Sequence, residues 1–286
     1  MTDPVHGGYT LPRALHLLDR VCGAAGLDPR GAILLRGQTN AVFRLAAHPV
    51  VVKIARVGTG TEEVRRTVLF VRWLMDRGFP TVPLYRPELQ PVLVGGESAT
   101  LWRYLPQPPQ AVPAEALAKP LSTLHSLASP PVALGPLDVC AAVRSSLNGT
   151  AILDDGDLGF LRERADALEG ALRGVTYELP EGILQGDPQH GNALHDGDGA
   201  VLCDWDNVCT GQPEWDLATI EVHCRRFGYG AEHYRRFAET YGWDVTAWSG
   251  HPVLRDLREL RMVATMRSSR RSRRTGCPDQ AVTSQP

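Results

Sequence analysis

Four prolines in eight residues, PQPPQAVP at 106–113, divide this chain into two parts of different character. Proline removes a backbone donor and fixes φ, so neither a helix interior nor a central strand can run through such a stretch. Before it come short runs rich in β-branched residues: AILLRG, NAVFRLA and PVVVKIA, joined by turns at Gly37-Gln38-Thr39 and Ala47-His48-Pro49, then QPVLVG and ATLWRYL around Gly95-Gly96. Runs of this kind with tight connections predict an antiparallel meander. Two helical stretches interrupt them. LPRALHLLDRVCGAAG starts at Leu11 with Pro12 in its first turn and Gly26 as its C-cap, and GTGTEEVRRTVLFVRWLMDRG closes at Gly78. In the second, Val64, Val68, Val71, Leu74 and Met75 share one face, with Thr67 inside it and Glu63 at its margin.

Beyond the prolines the pattern is helical: EALAKPLSTLHSLAS, VCAAVRSSLNG, and DLGFLRERADALEGALRGV with Asp154, Asp155 and Asp157 at its start. After an irregular stretch follow EWDLATIEVHCRRFG, AEHYRRFAETYG and HPVLRDLRELRMVATMR. The order predicts an α/β (α+β) chain of two lobes, an antiparallel sheet lobe over 1–105 and a mainly helical lobe over 106–267. Residues 1–10 read as a loose tail, and 268–286, basic and without apolar periodicity, as a disordered one.

The irregular stretch, Ile183 to Ala218, holds the chemistry: ILQGDPQHGNALHDGDGAVLCDWDNVCTGQPEWDLA. Asp187 follows a short apolar strand in the tight loop Gly186-Asp187-Pro188. A carboxylate so placed can accept a proton from an alcohol and aim its oxygen at phosphorus. Asn192 offers an amide oxygen five residues on, and Asp204 ends a strand that the hairpin returns close to it. Carboxylate plus amide are hard oxygen donors, suited to Mg²⁺ bridging nucleotide phosphates. Taken singly, Asp187 and Asn192 could only form turn hydrogen bonds, as such residues often do. Upstream, Lys53 sits mid-strand in VVVKIA, where a lysine either snorkels to solvent or points inward at an anion. The turn Arg36-Gly37-Gln38-Thr39-Asn40 either lies over phosphates or is an ordinary hairpin turn.

QGDPQHGNAL followed by CDWDNV and GQPEWDLA resembles the aminoglycoside phosphotransferase family of kinase-like enzymes. The likeness extends to the VVKI strand, RWLMDRGFP, WRYLP and LSTLHSL, and covers most of residues 30–265. The resemblance implies a protein-kinase-like fold with ATP or GTP and Mg²⁺ between the lobes. It implies that Asp187 is the base orienting the acceptor hydroxyl, that Asn192 and Asp204 hold Mg²⁺, and that Lys53 contacts the α- and β-phosphates. Thr39 and Asn40 would lie at the phosphate turn, and Trp102, Arg103 and Tyr104 would be the hinge offering backbone groups to adenine. Asp216 matches an acid that braces the catalytic loop. Two departures stand out: Gln185 replaces the usual histidine before Gly-Asp, and Thr67 stands where the family helix carries the glutamate partner of the lysine. Glu63, one turn earlier, is the expected substitute. These departures keep a nucleotide-binding pseudoenzyme or regulatory module as the alternative.

The acceptor is expected to be a small molecule with a hydroxyl: an aminosugar, macrolide, aminoalcohol or sugar. Glu214, Glu221, Glu232, Glu239 and Asp244 could line a pocket for a cationic one or be solvated helix faces, and Trp243, Trp248 and Tyr241 suit a sugar surface or a core. A net charge of −2 provides no field for nucleic acid, and no apolar run approaches the roughly 20 residues of a membrane span. With no basic-then-apolar start and no CxxC among six cysteines, a cytoplasmic protein with reduced thiols is expected. His190 and His195 with Asp187 and Cys203 lack a zinc register, Asp196-Gly197-Asp198-Gly199 lacks the rest of a calcium loop, and His125 reads as a core histidine.

Overall fold

A computed structural model describes residues 8–37, 39–148, 154–197 and 199–270, with backbone alone for 266–270. In chain order the elements are α1 (Leu11–Ala25), β1 (Ile33–Arg36), β2 (Ala41–Arg44), β3 (Val50–Ile54), α2 (Thr61–Met75), β4 (Val92–Val94), β5 (Glu97–Arg103), α3 (Ala114–His125), α4 (Val139–Asn148) and α5 (Asp155–Leu172). They continue with β6 (Gly182–Leu184), β7 (Ala193–Asp196), β8 (Gly199–Leu202), β9 (Cys209–Gly211), α6 (Glu214–Arg226), α7 (Ala231–Tyr241) and α8 (His251–Arg270).

The first lobe is a five-stranded sheet in the order β1-β2-β3-β5-β4, antiparallel throughout. Alternation fixes its two faces. In β3, Val50, Val52 and Ile54 are buried in a core shared with Leu17, Leu18 and Val21 of α1, while Val51 and Lys53 point to the other side. Thr10 caps α1 through its side chain and Gly26, in the left-handed region, ends it. Residues 8–10, expected to be part of a loose tail, are held in place. Tyr9 is 4% exposed, and its hydroxyl donates to Glu97 Oε2 (2.7 Å) and lies 3.0 Å from Ala55 O, so an aromatic with a satisfied hydroxyl ties residues 8–10 to the sheet. Residues 1–7 lie outside the described residues.

Helix α2 leaves the sheet core and joins the second lobe's. Phe70 and Phe79 meet Trp205 edge-on at 5.4 and 6.0 Å, and the Trp205 indole N–H donates to Thr81 Oγ1 at 2.9 Å. One apolar cluster therefore runs from α2 through Trp102 into α3, α4, α6, α7 and α8. The proline segment 106–113 carries the chain from β5 to α3, and Pro120 is accommodated inside α3, which ends at His125 rather than continuing to residue 129. Asp154 caps α5 by accepting from Asp157 N. The α8 backbone reaches Arg270, past the predicted start of the tail, and 271–286 lie outside the described residues. Asp196 and Gly199 pair across the β7–β8 hairpin; Asp198 of that turn and Gln38 of the earlier one lie outside the described residues. The five cysteines described are free thiols, and no helix among the described residues is long and apolar enough to cross a membrane.

Candidate active site

Strand β6 delivers Gln185, Gly186 and Asp187 to the front of the second lobe. Gly186 has φ +83, and a Cβ there would lie 2.2 Å from Asn207 O, so only glycine allows the two loops to approach. Asp216, fully buried in the first turn of α6, fixes this loop. Its Oδ2 accepts from Gln185 N (2.8 Å) and its Oδ1 from Gly186 N (3.0 Å), while His125 Nε2 lies 3.2 Å from Oδ2. His125 Nδ1 lies 2.8 Å from the Tyr241 hydroxyl, a buried, hydrogen-bonded core position.

Gln185 links the two halves of the motif. Its Nε2 donates to Cys203 O (3.0 Å) and Asp204 O (3.1 Å), and its Oε1 accepts from Asp187 N (2.7 Å). An amide can donate and accept at once, which is what this position requires. Asp204 lies just past β8, not in it, with φ +58 in the left-handed region that costs a non-glycine residue. Gln185 on its carbonyl and the buried Trp205 beside it hold that conformation.

Lys53 points inward. Its Nζ lies 2.7 Å from Asp204 Oδ1 and 2.8 Å from Asp206 Oδ1. Burial alone would lower the ammonium pKa, but the two carboxylates outweigh it and raise it above the ordinary range. Asn40 Nδ2 donates to Asp206 Oδ2 at 2.9 Å and its Oδ1 accepts from Arg56 N; Arg36 Nη2 donates to Gly191 O at 2.7 Å. Three first-lobe side chains thus reach the second lobe's loops. Thr39 is exposed at the turn. Glu63 is exposed and makes no ion pair with Lys53 among the described residues, because Asp204 and Asp206 occupy the ammonium. Thr67 donates back to Glu63 O.

Asn192 Nδ2 donates to Asp187 O (3.0 Å), which leaves its amide oxygen on the other side. Asp187 itself is held at both oxygens: Oδ1 by Arg258 Nη2 (2.5 Å), Oδ2 by Gln189 Nε2 (3.1 Å) and at longer range by Asn192 Nδ2 (3.5 Å). Arg258, on α8 and 5% exposed, also donates to His223 Nε2 at 3.1 Å. That direction is forced, since arginine has no acceptor. Burial first, then the Arg258 charge, holds the His223 pKa down at about 3. Asp206, His223 and Arg258 were not singled out in the sequence, and Arg36 was named only as part of the 36–40 turn. Only Asp206 carried a signal, as the second acid of Asp204-Trp205-Asp206.

At the end of β5 the N–H groups of Arg103 and Tyr104 already donate to Pro83 O and Pro49 O, and Trp102 packs its ring into the core. Leu105 supplies the next backbone N–H, and among the described residues it has no backbone partner.

The five acids weighed for a cationic pocket are otherwise engaged. Glu214 accepts from Glu178 N and Leu179 N; Glu221 pairs with Arg225 and His251; Asp244 binds Thr246 and the Tyr234 hydroxyl. Glu232 pairs with Arg235 and Arg236, and Glu239 with Arg235. Trp248 is buried with its indole N–H on Thr176 O, and Trp243 and Tyr241 pack against the same core. His190 and His195 are apart, His195 bonding to Gln107 and Gln110. His190 instead meets His233 (Nε2···Nε2 3.0 Å) beside Cys224. His233 Nε2 already accepts from Ala114 N at 2.9 Å, so this is a hydrogen-bonded histidine pair with its lone pair in use.

The sequence matches the phosphotransferase enzyme family over residues 31–257. Among curated proteins no sequence matches it. Among solved structures the fold is similar to that of a choline kinase from Streptococcus pneumoniae, with TM-score 0.65 and 17% identity over 90% of this chain and 91% of that one. It is also similar to an aminoglycoside phosphotransferase from Streptomyces rimosus in complex with ADP and streptomycin, with TM-score 0.64 and 16% identity over 86% and 98% of the two chains. An amicoumacin kinase in complex with AMP-PNP, Ca²⁺ and Ami gives TM-score 0.66 and 13% identity over 90% and 87%. These likenesses establish the two-lobed protein-kinase-like fold.

Proposed function

The chain belongs to the phosphotransferase enzyme family, and on that premise we propose that it transfers the γ-phosphoryl group of ATP or GTP to a hydroxyl of a small molecule. The observation that carries this is the convergence on one cleft of Lys53, Asp204, Asp206, Asn192 and Asp187, from β3, the loops after β8 and the loop after β6. Similar folds hold ADP with streptomycin and AMP-PNP with Ca²⁺, which supports a nucleotide and a divalent ion here.

The donor set fits Mg²⁺. Asp204 and Asp206 keep about a third of their side-chain surface exposed around a single cation, and Asn192 has its amide oxygen uncommitted. Asn192, Asp204 and Asp206 would hold the ion, which supplies charge neutralisation to the nucleotide phosphates. Lys53 would turn from the carboxylates to the α- and β-phosphates, and the free Leu105 N–H would meet the adenine edge beside the Trp102–Tyr104 hinge. Asp187 would use Oδ2, whose partners are side-chain amides, to take the acceptor's proton, while Arg258 keeps Oδ1 in place. The acceptor oxygen forms the new bond to Pγ, the bond from Pγ to the β–γ bridging oxygen breaks, and the nucleoside diphosphate leaves with that electron pair. The cytoplasm is where such a nucleotide would be drawn from.

A nucleotide-binding module without turnover is favoured by one feature, the absence of an ion pair between Lys53 and Glu63 among the described residues. Purified chain assayed for ADP or GDP release with Mg·ATP or Mg·GTP and a panel of aminosugars, macrolides, aminoalcohols and sugars separates the two. Acceptor-dependent release that vanishes in Asp187→Asn is expected; tight nucleotide binding with no release on any acceptor favours the module.

A further inference from the structure

Around Asp187 the charges favour a different acceptor from the polycation that an aminoglycoside would be. Of the acids of the helical lobe that could have met a cation, Glu221, Glu232 and Glu239 are bound to the protein's own arginines and a histidine, and Glu214 is bound to backbone through Oε1 alone. Arginines stand in their place. Arg258 and Arg261 lie one turn apart on α8, Arg258 against Asp187 and Arg261 against Asn207. Arg261 forms no ion pair among the described residues: its Nη2 donates to Asn207 Oδ1 at 3.2 Å and its guanidinium lies 5.9 Å from the Trp215 ring centre. Burial, followed by the Arg258 charge, lowers its pKa, as a cation short of counter-charge requires.

Two buried polar atoms in the same neighbourhood have no partner among the described residues, Arg258 Nε and His190 Nδ1. His190 Nε2 lies 3.0 Å from His233 Nε2, whose lone pair takes the Ala114 N–H, and His190 Nδ1 is left without a partner. Arg258 Nε–H is a donor. Buried groups of this kind are normally bonded. Beside them stand two aromatics with open faces. Phe227 is 50% and Tyr229 38% exposed, the first stacked on His223 (4.8 Å) and the second on His190 (3.9 Å, 5° between planes). Phe227, His223, Arg258 and Asp187 thus form one continuous series of contacts.

We propose that the acceptor is a hydroxylated ring bearing an anionic group, its ring lying on Phe227 and Tyr229 and its anion on Arg261, with the buried Arg258 charge behind it. This rests on the phosphotransferase reading and names the substrate class of that site. The C–H face of a sugar ring packs on an aromatic face, and a carboxylate or phosphate is recognised by the guanidinium fork.

The test uses one ring with four charges: glucose 6-phosphate, glucuronate, glucose and glucosamine. Each is titrated calorimetrically into the full chain with Mg·AMP-PNP, and each is assayed separately for ADP release with Mg·ATP. The anionic probes are expected to bind roughly tenfold tighter than glucose, with glucosamine weakest. Arg261→Glu, checked for folding by thermal unfolding beside Arg261→Gln, is expected to abolish the preference, and Tyr229→Ala to weaken all probes alike. Tighter binding of glucosamine, no binding of the anionic probes at millimolar concentration, or a preference that survives both Arg261 variants would overturn the proposal. Anion-selective binding without ADP release would overturn the phosphotransferase reading and leave the ligand class standing; ADP release with cation preference would do the reverse.

Discussion

On one side of the cleft a cation sits among carboxylates, and on the other a carboxylate sits among cations. Lys53 lies between Asp204 and Asp206, while Asp187 lies against Arg258 with Arg261 one turn further along α8. The first arrangement can open toward a metal ion and phosphates because its carboxylates stay partly exposed. The second is closed on Oδ1 by a buried arginine and remains adaptable only at Oδ2. On the proposed function the first arrangement would serve the nucleotide and the second would set the choice of acceptor.

The largest effect is expected from Asp187→Asn. Loss of the proton acceptor should lower kcat about 10³-fold in a steady-state assay, with nucleotide affinity unchanged. The same change leaves Arg258 buried without its carboxylate, so a lower unfolding midpoint should accompany it. Unaltered turnover would remove Asp187 from the chemistry. Lys53→Met comes next. It should raise the KM for nucleotide and lower kcat by about 10²-fold in all, since Asp204 and Asp206 would then face each other without a counter-ion. If instead acceptor KM alone changed, the two halves of the cleft would be less separate than their contacts indicate.

How much of this was legible follows the same division. Asp187, Asn192, Asp204 and Asp216 fall within one stretch, where the strand and turn pattern says how they meet. The Gln185 substitution was visible too, although only the structure shows one amide doing three jobs. Arg258 and Arg261 were hidden, because arginines on an amphipathic helix look like a solvated face, and nothing local says that α8 lies behind the catalytic loop. Glu63 shows the converse. Helical spacing put it near the right face, but spacing does not give reach, and Asp206 took the lysine instead. The acids of α6 and α7 had partners at helical spacing already in the sequence, Arg225 for Glu221 and Arg235 for Glu232 and Glu239, and the fold adds only His251 to Glu221.

Gln185→Ala probes the link between the halves. It removes the donor to Cys203 O and Asp204 O and the acceptor of Asp187 N in a fully buried position, for a cost of about 2 kcal/mol in urea unfolding. Because Asp204 is left-handed at that point, activity should fall by more than the fraction unfolded accounts for. Gln185→His should recover part of both. A Gln185→Ala protein with normal stability and altered acceptor KM alone would contradict the bridging role.

The smallest effect separates the halves by pH. His223 supports Arg258 only as a neutral imidazole, and burial with the neighbouring arginine places its pKa at about 3, below the ordinary 6.5. As pH falls, the unfolded chain takes up this proton first, so the stabilisation is complete above about 6.5 and declines toward about 3. Between pH 7 and pH 5 this should remove about 1 to 2 kcal/mol from the unfolding free energy, a loss reduced in His223→Gln, whose amide oxygen can still accept from Arg258. Lys53 predicts no loss over that interval, because the ammonium stays charged throughout it. An acid-sensitive fold whose sensitivity is the same in His223→Gln would mean that the acceptor half does not depend on this histidine's neutrality.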